Sequence, residues 1–259
     1  MKRLPRVLLT LSLAALATSA GADIPKADLP DPVAALASHG VEVIDTFEAP
    51  GNLKGYAATL QGKPVAVYLT EDGEQAILGT MVGAQGEDLS AEPLERIVSG
   101  PQSEKAWAQL ETAAWVRDGS EDADTIIYEF TDPNCPYCHQ FWQQARPWVD
   151  AGKVQIRHVL VGILKQDSAP KAATILAADD PAAAFARSEQ DYDEDGIKVA
   201  DSIPDSARKK VAENNALMKS LGYFATPTIL YQKDNGDVSV KQGLPQGSEV
   251  NTILGGPKP

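Results

Sequence analysis

The sequence has 259 residues, 43% of them hydrophobic and 23% charged, with a formal net charge of −13. That acidity, with no basic stripe and no basic–aromatic pattern, excludes nucleic acid as an expected partner. Two cysteines in a chain this long exclude a disulfide-stapled scaffold, and the length allows one large or two modest domains.

Residues 1–22 read as a secretory signal peptide. Lys2, Arg3 and Arg6 form a basic front, an apolar stretch follows from Val7 to about Ala17, and Ala20-Gly21-Ala22 is a small-x-small cleavage site. Cleavage after Ala22, with cleavage after Ala20 as a close alternative, would begin the mature chain at Asp23, move its formal charge to −16, and place it outside the cytosol in an oxidising compartment. The apolar stretch is short for a membrane span.

Residues 23–91 form a first compositional unit. A short helix is expected at Val33–Ser38. Strands are expected at Val41–Phe47, Leu53–Leu60, Val65–Thr70 and Ala76–Val82, with a turn at Glu71-Asp72-Gly73-Glu74. The unit holds no cysteine and no phosphate-binding loop, and His39 reads as a solvent-facing or capping residue. So small a sheet is marginal alone, and pairing with a second copy of itself would explain it.

Residues 92–120 read as a helical connector. One helix starts at Pro93 and is interrupted by Gly100-Pro101. A second is capped by Ser103, carries Trp107, Leu110, Ala114 and Trp115 on one stripe, and ends at Gly119. It either spaces two domains or packs on one of them.

Residues 121–259 carry the chemistry. The β-rich run Thr125–Phe130 meets a turn at Thr131–Asn134, and then Cys135-Pro136-Tyr137-Cys138 opens a helix marked by Phe141, Trp142, Ala145, Trp148 and Val149. Pro136 suits a first helical turn, where its missing N–H leaves no bond unmade. Cys135 then lies at the open helix N-terminus, which favours a thiolate. It is expected to be the exposed, low-pKa nucleophile, with Cys138 inward as the resolving thiol. Pro136 and Tyr137 set the turn and the exposure of the thiol. As a structural disulfide the pair would close too short a loop to stabilise much. As a metal site it lacks ligands, because His39, His139 and His158 form no convincing set with it. Neither a metal nor another cofactor is called for.

Beyond this motif a strand is expected at Val154–Val161. Helices are expected at Lys171–Ala178, Pro181–Ser188 and Ser206–Leu221, with polar turns between Gln190 and Asp205. A hairpin of Thr228–Gln232 and Val238–Gln242 surrounds Asp234-Asn235-Gly236-Asp237, and Ser248–Leu254 closes the chain as a helix. This is a small α/β order.

The CxxC at a helix start, with Thr226-Pro227 before a late strand, resembles the thioredoxin superfamily. The run DPNCPYCHQFWQQARPWVDAGKVQ, with Asn214-Asn215, Ala225-Thr226-Pro227 and Gln242-Gly243-Leu244-Pro245, resembles the DsbC/DsbG family of periplasmic thiol:disulfide interchange proteins. The resemblance covers nearly the whole mature chain. It implies an α+β N-terminal dimerisation domain, a helical linker, and an α/β thioredoxin-like fold with a helical insert at about residues 165–221. It implies a V-shaped homodimer in the periplasm, client proteins with oxidised cysteines, and a membrane reductase resembling DsbD as electron donor. It also implies that Thr226 and a cis Pro227 lie opposite the CxxC and offer backbone groups to substrate. The activity implied is reduction of client disulfides or sulfenic acids, with possible chaperone activity. A DsbC-type isomerase and a non-enzymatic holdase are the alternatives.

Glu129 stands inside the apolar run Ile126-Ile127-Tyr128-Glu129-Phe130. A carboxylate there is costly unless exposed, paired or functional. Related thioredoxins carry a buried acid at the matching position, whereas other members of the DsbC/DsbG family can be apolar there. Either Glu129 takes the proton of Cys138 during resolution, or it is a solvent-facing or locally salt-bridged position.

Overall fold

The computed structural model describes residues 24–259; the signal-peptide expectation for residues 1–22 lies outside them. A first sheet is a four-stranded antiparallel meander of β1 (Val41–Ala49), β2 (Leu53–Leu60), β3 (Lys63–Leu69) and β4 (Ala76–Leu78). Alternation along β2 and β3 sends side chains to both faces, and both are covered. Tyr56, Ala58, Val67 and Leu69 pack with Val33 of helix α1 (Asp31–Ala37). Ala57, Ala66 and Tyr68 pack with Phe47 and Val98. Strand β4 stops at Leu78, short of the expected Val82, which instead makes an isolated bridge with Asp88.

The connector departs from expectation. Gly100-Pro101 does not interrupt it: α2 (Ala91–Leu94), a π-helical segment (Glu95–Ser99) and α3 (Gly100–Glu111) follow without a break. The Gly100 N–H reaches the Glu95 carbonyl, and this wider turn accommodates a proline whose N–H is missing. Ser103 is therefore a buried residue inside α3, not a cap. Trp115 belongs not to a helical stripe but to a strand, β5 (Trp115–Asp118), which Gly119 ends at φ +106; a Cβ there would stand 2.4 Å from the Val154 carbonyl. The π-helical residues Ile97 and Val98 pack on the first sheet, and Ala106 and Leu110 of α3 pack on the second.

The second sheet has the order β5-β7-β6-β8-β9. Strand β6 (Thr125–Thr131) runs parallel to β7 (Val154–Leu160), and helix α4 (Pro136–Asp150) crosses between them. Strands β8 (Thr228–Gln232) and β9 (Val238–Gln242) form the terminal hairpin, and β8 lies antiparallel to β6. Ile127, Ile156 and Ile229 face α4 and α8 (Ser248–Ile253), while Tyr128, Phe130 and Val159 face α3 and Met218. The segment between β7 and β8 forms α5 (Ser168–Ala177), α6 (Pro181–Gln190) and α7 (Asp205–Ser220). These helices share a core of Ile175, Phe185, Ala207 and Val211 with Val116 of β5 and Trp142 of α4. This is a thioredoxin-like α/β unit with extra helices.

Candidate active site

Strand β6 leads into a turn that is fixed before the cysteines begin. The buried Asp132 accepts from the backbone N–H of Asn134 at 2.9 Å and the Ser168 hydroxyl at 2.7 Å with Oδ1. Its Oδ2 accepts from the N–H groups of Ile163 at 2.7 Å and Leu164 at 3.0 Å. Asn134 donates its amide to Asp167 and to Ser168, and accepts from the ammonium of Lys171 at 3.1 Å. Lys171 is buried and also donates to the carbonyl and carboxylate of Asp195, at 2.8 and 3.0 Å. An internal cation thus ties the insert to the residue preceding Cys135.

Cys135 is the N-cap of α4. Its backbone is extended, and its Sγ accepts from the Cys138 N–H at 3.1 Å. The thiol also donates to the Thr226 carbonyl at 3.3 Å. Pro136 occupies the first turn of α4, and Tyr137 is 57% exposed beside the pair. The expectation that Cys135 is exposed is not met: Cys135 and Cys138 are 2% and 1% exposed. The Thr226 carbonyl above the sulfur is one of the groups that cover it. The two thiols are nevertheless polarised in opposite directions. Contact with the Cys138 thiol, together with the Cys138 N–H, lowers the pKa of Cys135 against the opposing effect of burial. Burial pushes Cys138 well above its ordinary value, and its contact with Cys135 and the charge of Glu129 add to this.

The Thr226–Pro227 peptide is cis, and the Pro227 carbonyl accepts from the Gly243 N–H at 2.7 Å. Thr226 Oγ1 is buried and has no hydrogen-bond partner among the described residues. The sequence elements at 135–138, 226–227 and 242–245 therefore meet at the end of β6 and the start of β8.

Glu129 is 0% exposed, which removes the solvent-facing reading. It is paired: Oε2 lies 2.8 Å from Nδ1 of the equally buried His158, its direct partner across the β6–β7 register. The other ring nitrogen of His158 faces Asp118 at 3.3 Å. Burial raises the pKa of Glu129. Burial opposes protonation of His158, but the hydrogen bonds with Asp118 and Glu129 outweigh it and lift the ring to about 9.

Sequence reasoning set His158 and His139 aside because they form no metal set. Both belong to the site's surroundings. His139 contacts Glu189 of α6 at 2.9 Å, and its ring stacks on Tyr192 with centroids 4.3 Å apart. The Tyr192 hydroxyl donates to the Asn134 carbonyl at 3.2 Å. Glu129 inside an otherwise apolar run of β6 is the signal that points to the first pair; His158 stands in β7 beside other polar residues, Gln155 and Arg157, and is less distinct. Glu189, a long-range partner in the insert, leaves no comparable signal.

A family model described as a thioredoxin-like domain matches residues 117–255. The chain is 45% identical over 253 residues to the thiol:disulfide interchange protein DsbG of Pseudomonas aeruginosa, covering 98% of this chain and 99% of that one. It is 42% identical over 232 residues to the protein of the same name in Escherichia coli K12, covering 88% and 92%. The chain belongs to the DsbG-type thiol:disulfide interchange proteins of the thioredoxin superfamily. Among solved structures it is similar to the catalytic domain of Proteus mirabilis ScsC, with 21% identity, a TM-score of 0.49, and coverage of 58% of this chain and 96% of that one. It is a periplasmic oxidoreductase that exchanges thiols and disulfides with client cysteines through a closely spaced cysteine pair.

Proposed function

We propose that the chain is a reductase of client cysteines in which Cys135 attacks and Cys138 resolves. The Cys135 thiolate attacks a client disulfide and releases one client thiolate. With a client sulfenic acid the S–O bond breaks instead, and the hydroxide leaves as water with one added proton. Either route gives a Cys135–client mixed disulfide. Cys138 then attacks Cys135, its proton passes to Glu129, and the client leaves reduced. The Cys135–Cys138 disulfide is re-reduced by an external dithiol, for which a membrane reductase resembling DsbD is the proposed donor. Thr226 and Pro227 supply the opposite wall, where the Thr226 carbonyl that accepts from the Cys135 thiol would pass to an incoming chain once that thiol is consumed. Pro136 and Tyr137 shape the entrance.

The observation that carries this reading is geometric: Cys135 is the N-cap of α4 and its Sγ accepts from the Cys138 N–H at 3.1 Å, while Cys138 lies inside the helix with no such donor among the described residues, which is consistent with a pKa lowered at Cys135 and raised at Cys138. Residues 23–91 are proposed as the dimerisation domain and the helical part of 92–120 as the linker; the catalytic domain, expected at 121–259, also takes in β5 (Trp115–Asp118), which pairs with β7. The exposed apolar residues of β4 support the first of these assignments. The decisive experiment traps clients on a Cys138→Ala variant, whose mixed disulfides cannot resolve. Trapped clients with single cysteines favour sulfenic-acid repair, and clients with several favour the isomerase alternative. Recovery of no client would overturn the reductase reading.

A second reading, holding of unfolded clients, is favoured by the exposed apolar side chains of Tyr137 in the first turn of α4 and of Ile163, Leu164 and Phe224 in loops. A Cys135→Ser variant that still suppresses aggregation of a reduced client would separate that role from the redox chemistry.

A further inference from the structure

The groups beneath the cysteines form a row of alternating charge that the exchange reaction by itself does not require. Arg146 of α4 grips Asp118 of β5, with Nη1 3.1 Å from Oδ1 and Nη2 in close contact with Oδ2. Asp118 faces Nε2 of His158 on β7, and Nδ1 of that ring faces Glu129 on β6. Both ring nitrogens therefore meet carboxylate oxygens. A neutral imidazole would have to turn one lone pair toward an anion, whereas an imidazolium donates to both. Phe185 of α6 covers the ring, with centroids 4.1 Å apart. The other charged or titratable groups around this row are Cys135 and Cys138 at the start of α4, Asp150 at its end, 3.8 Å from Arg146, and Glu189 on α6, the last taken up by His139.

The consequence falls on Glu129. Its Oε2 is taken by His158, while Oε1 is buried and unpartnered among the described residues. A carboxylate at zero exposure with no countercharge takes up a proton, and a protonated acid cannot act as a base. We propose that His158 is a positioning residue for thiol exchange: its imidazolium, anchored by Asp118, keeps Glu129 ionised and leaves Oε1 free to receive the proton of Cys138. This rests on the proposed role of Glu129 and adds the residue that makes that role workable at neutral pH. In resolution the proton passes from Cys138 to Oε1, relayed by a water because no hydrogen bond joins the two directly, as the Cys138 sulfur bonds to Cys135. The Cys135–client bond breaks with its electron pair on the client sulfur. His158 keeps both of its protons throughout. When the external dithiol attacks the Cys135–Cys138 disulfide, Cys138 leaves as a thiolate and takes the proton back from Glu129.

The test follows first attack and resolution separately by rapid mixing with a client disulfide across pH 5.5–9. It compares the unmodified protein, Glu129→Gln, His158→Gln and the double variant. His158→Gln should slow resolution at pH 7 by about tenfold or more and raise the midpoint of its pH profile by about one unit or more, with first attack nearly unchanged. The double variant should be no slower than Glu129→Gln alone. A normal resolution rate in Glu129→Gln would overturn the role of Glu129, and with it this one. Slow resolution in Glu129→Gln beside an unshifted pH profile in His158→Gln, or multiplied losses in the double variant, would overturn the role of His158 only. If His158→Gln does not fold, ring-nitrogen NMR of the unmodified protein decides. Two protonated nitrogens on His158 at pH 7 support the proposal, and a neutral ring overturns it.

Discussion

The backbone N–H of Cys138 points at the sulfur of Cys135 from 3.1 Å, so the helix that carries both cysteines stabilises charge on only one of them. Cys138 lies deeper and feels the charge of Glu129, so that a second negative charge there is unfavourable. Neither sulfur is accessible enough for exposure to separate them, since both residues are almost fully buried. Discrimination must come from thiolate stability. Alkylation of the reduced protein at pH 6 should label Cys135 at least about tenfold faster than Cys138, as read by peptide mass mapping. Preferential labelling of Cys138 would reverse the two roles.

Lys171 supports the same turn from the insert. Its ammonium is shared among Asn134, the Asp195 carbonyl and carboxylate, and the Asp167 carboxylate at 3.3 Å. Lys171→Met keeps much of the side-chain volume but leaves the buried Asn134 amide oxygen without its donor. The loss should be about 2–3 kcal/mol in urea unfolding. Because Asn134 directly precedes Cys135, the first attack on a client should also slow by about tenfold. Lost stability with an unchanged rate of attack would show that the turn holds its geometry without Lys171.

Much of this site is legible in local sequence. Cys135, Pro136 and Cys138 announce a helix N-terminus because capping and first-turn rules act over four residues. The apolar stripe Phe141, Trp142, Ala145, Trp148 and Val149 shows which face of α4 is buried, and all five are buried. The connector resisted reading for a physical reason. Gly100-Pro101 is a strong local break signal, yet the π-helical turn before it and packing on both flanking sheets override the signal. The strand Trp115–Asp118 is four residues long and draws its pairing from β7, about forty positions on. The bonds Glu129–His158 and His139–Glu189 span 29 and 50 positions, and only the folded sheet and insert bring their ends together.

The buried row also sets a pH dependence of stability. His158 is raised from 6.5 to about 9 on folding, so its contribution is fully present below pH 6.5 and is lost as pH rises toward 9. Glu129 is likewise held above its ordinary value, by burial, and so acts in the same direction. Asp118 is lowered to about 2: burial opposes this, but His158 and Arg146 prevail. Its contribution is therefore present above 3.8 and lost only as pH falls through about 2. Thermal unfolding of the reduced protein should show Tm falling between pH 6.5 and 9, and His158→Gln should flatten that limb. An equally steep fall in the variant would place its cause elsewhere.

The exposed edge of the first sheet leads to the last prediction. Strand β4 pairs with β3 on one side only, and it presents Ile77 at 55% exposure and Leu78 at 41%, with Val82 close behind. An apolar edge strand left open is a liability that native proteins blunt with charge or cover with another chain. Here neither Ile77 nor Leu78 is charged. A second copy pairing along this edge would satisfy the free backbone groups and bury these side chains at once. Sedimentation of the mature protein at micromolar concentration should therefore give twice the chain mass. A fragment beginning at Gly100 keeps α3 and β5, which pack on the second sheet, and should sediment as a monomer. Ile77→Lys with Leu78→Lys should dissociate the full-length dimer while leaving single-turnover attack by Cys135 intact, because charge placed on both edge positions opposes strand pairing without touching the second sheet. A full-length chain that sediments as a monomer, or a lysine variant that remains dimeric, would rule out this edge as the seam.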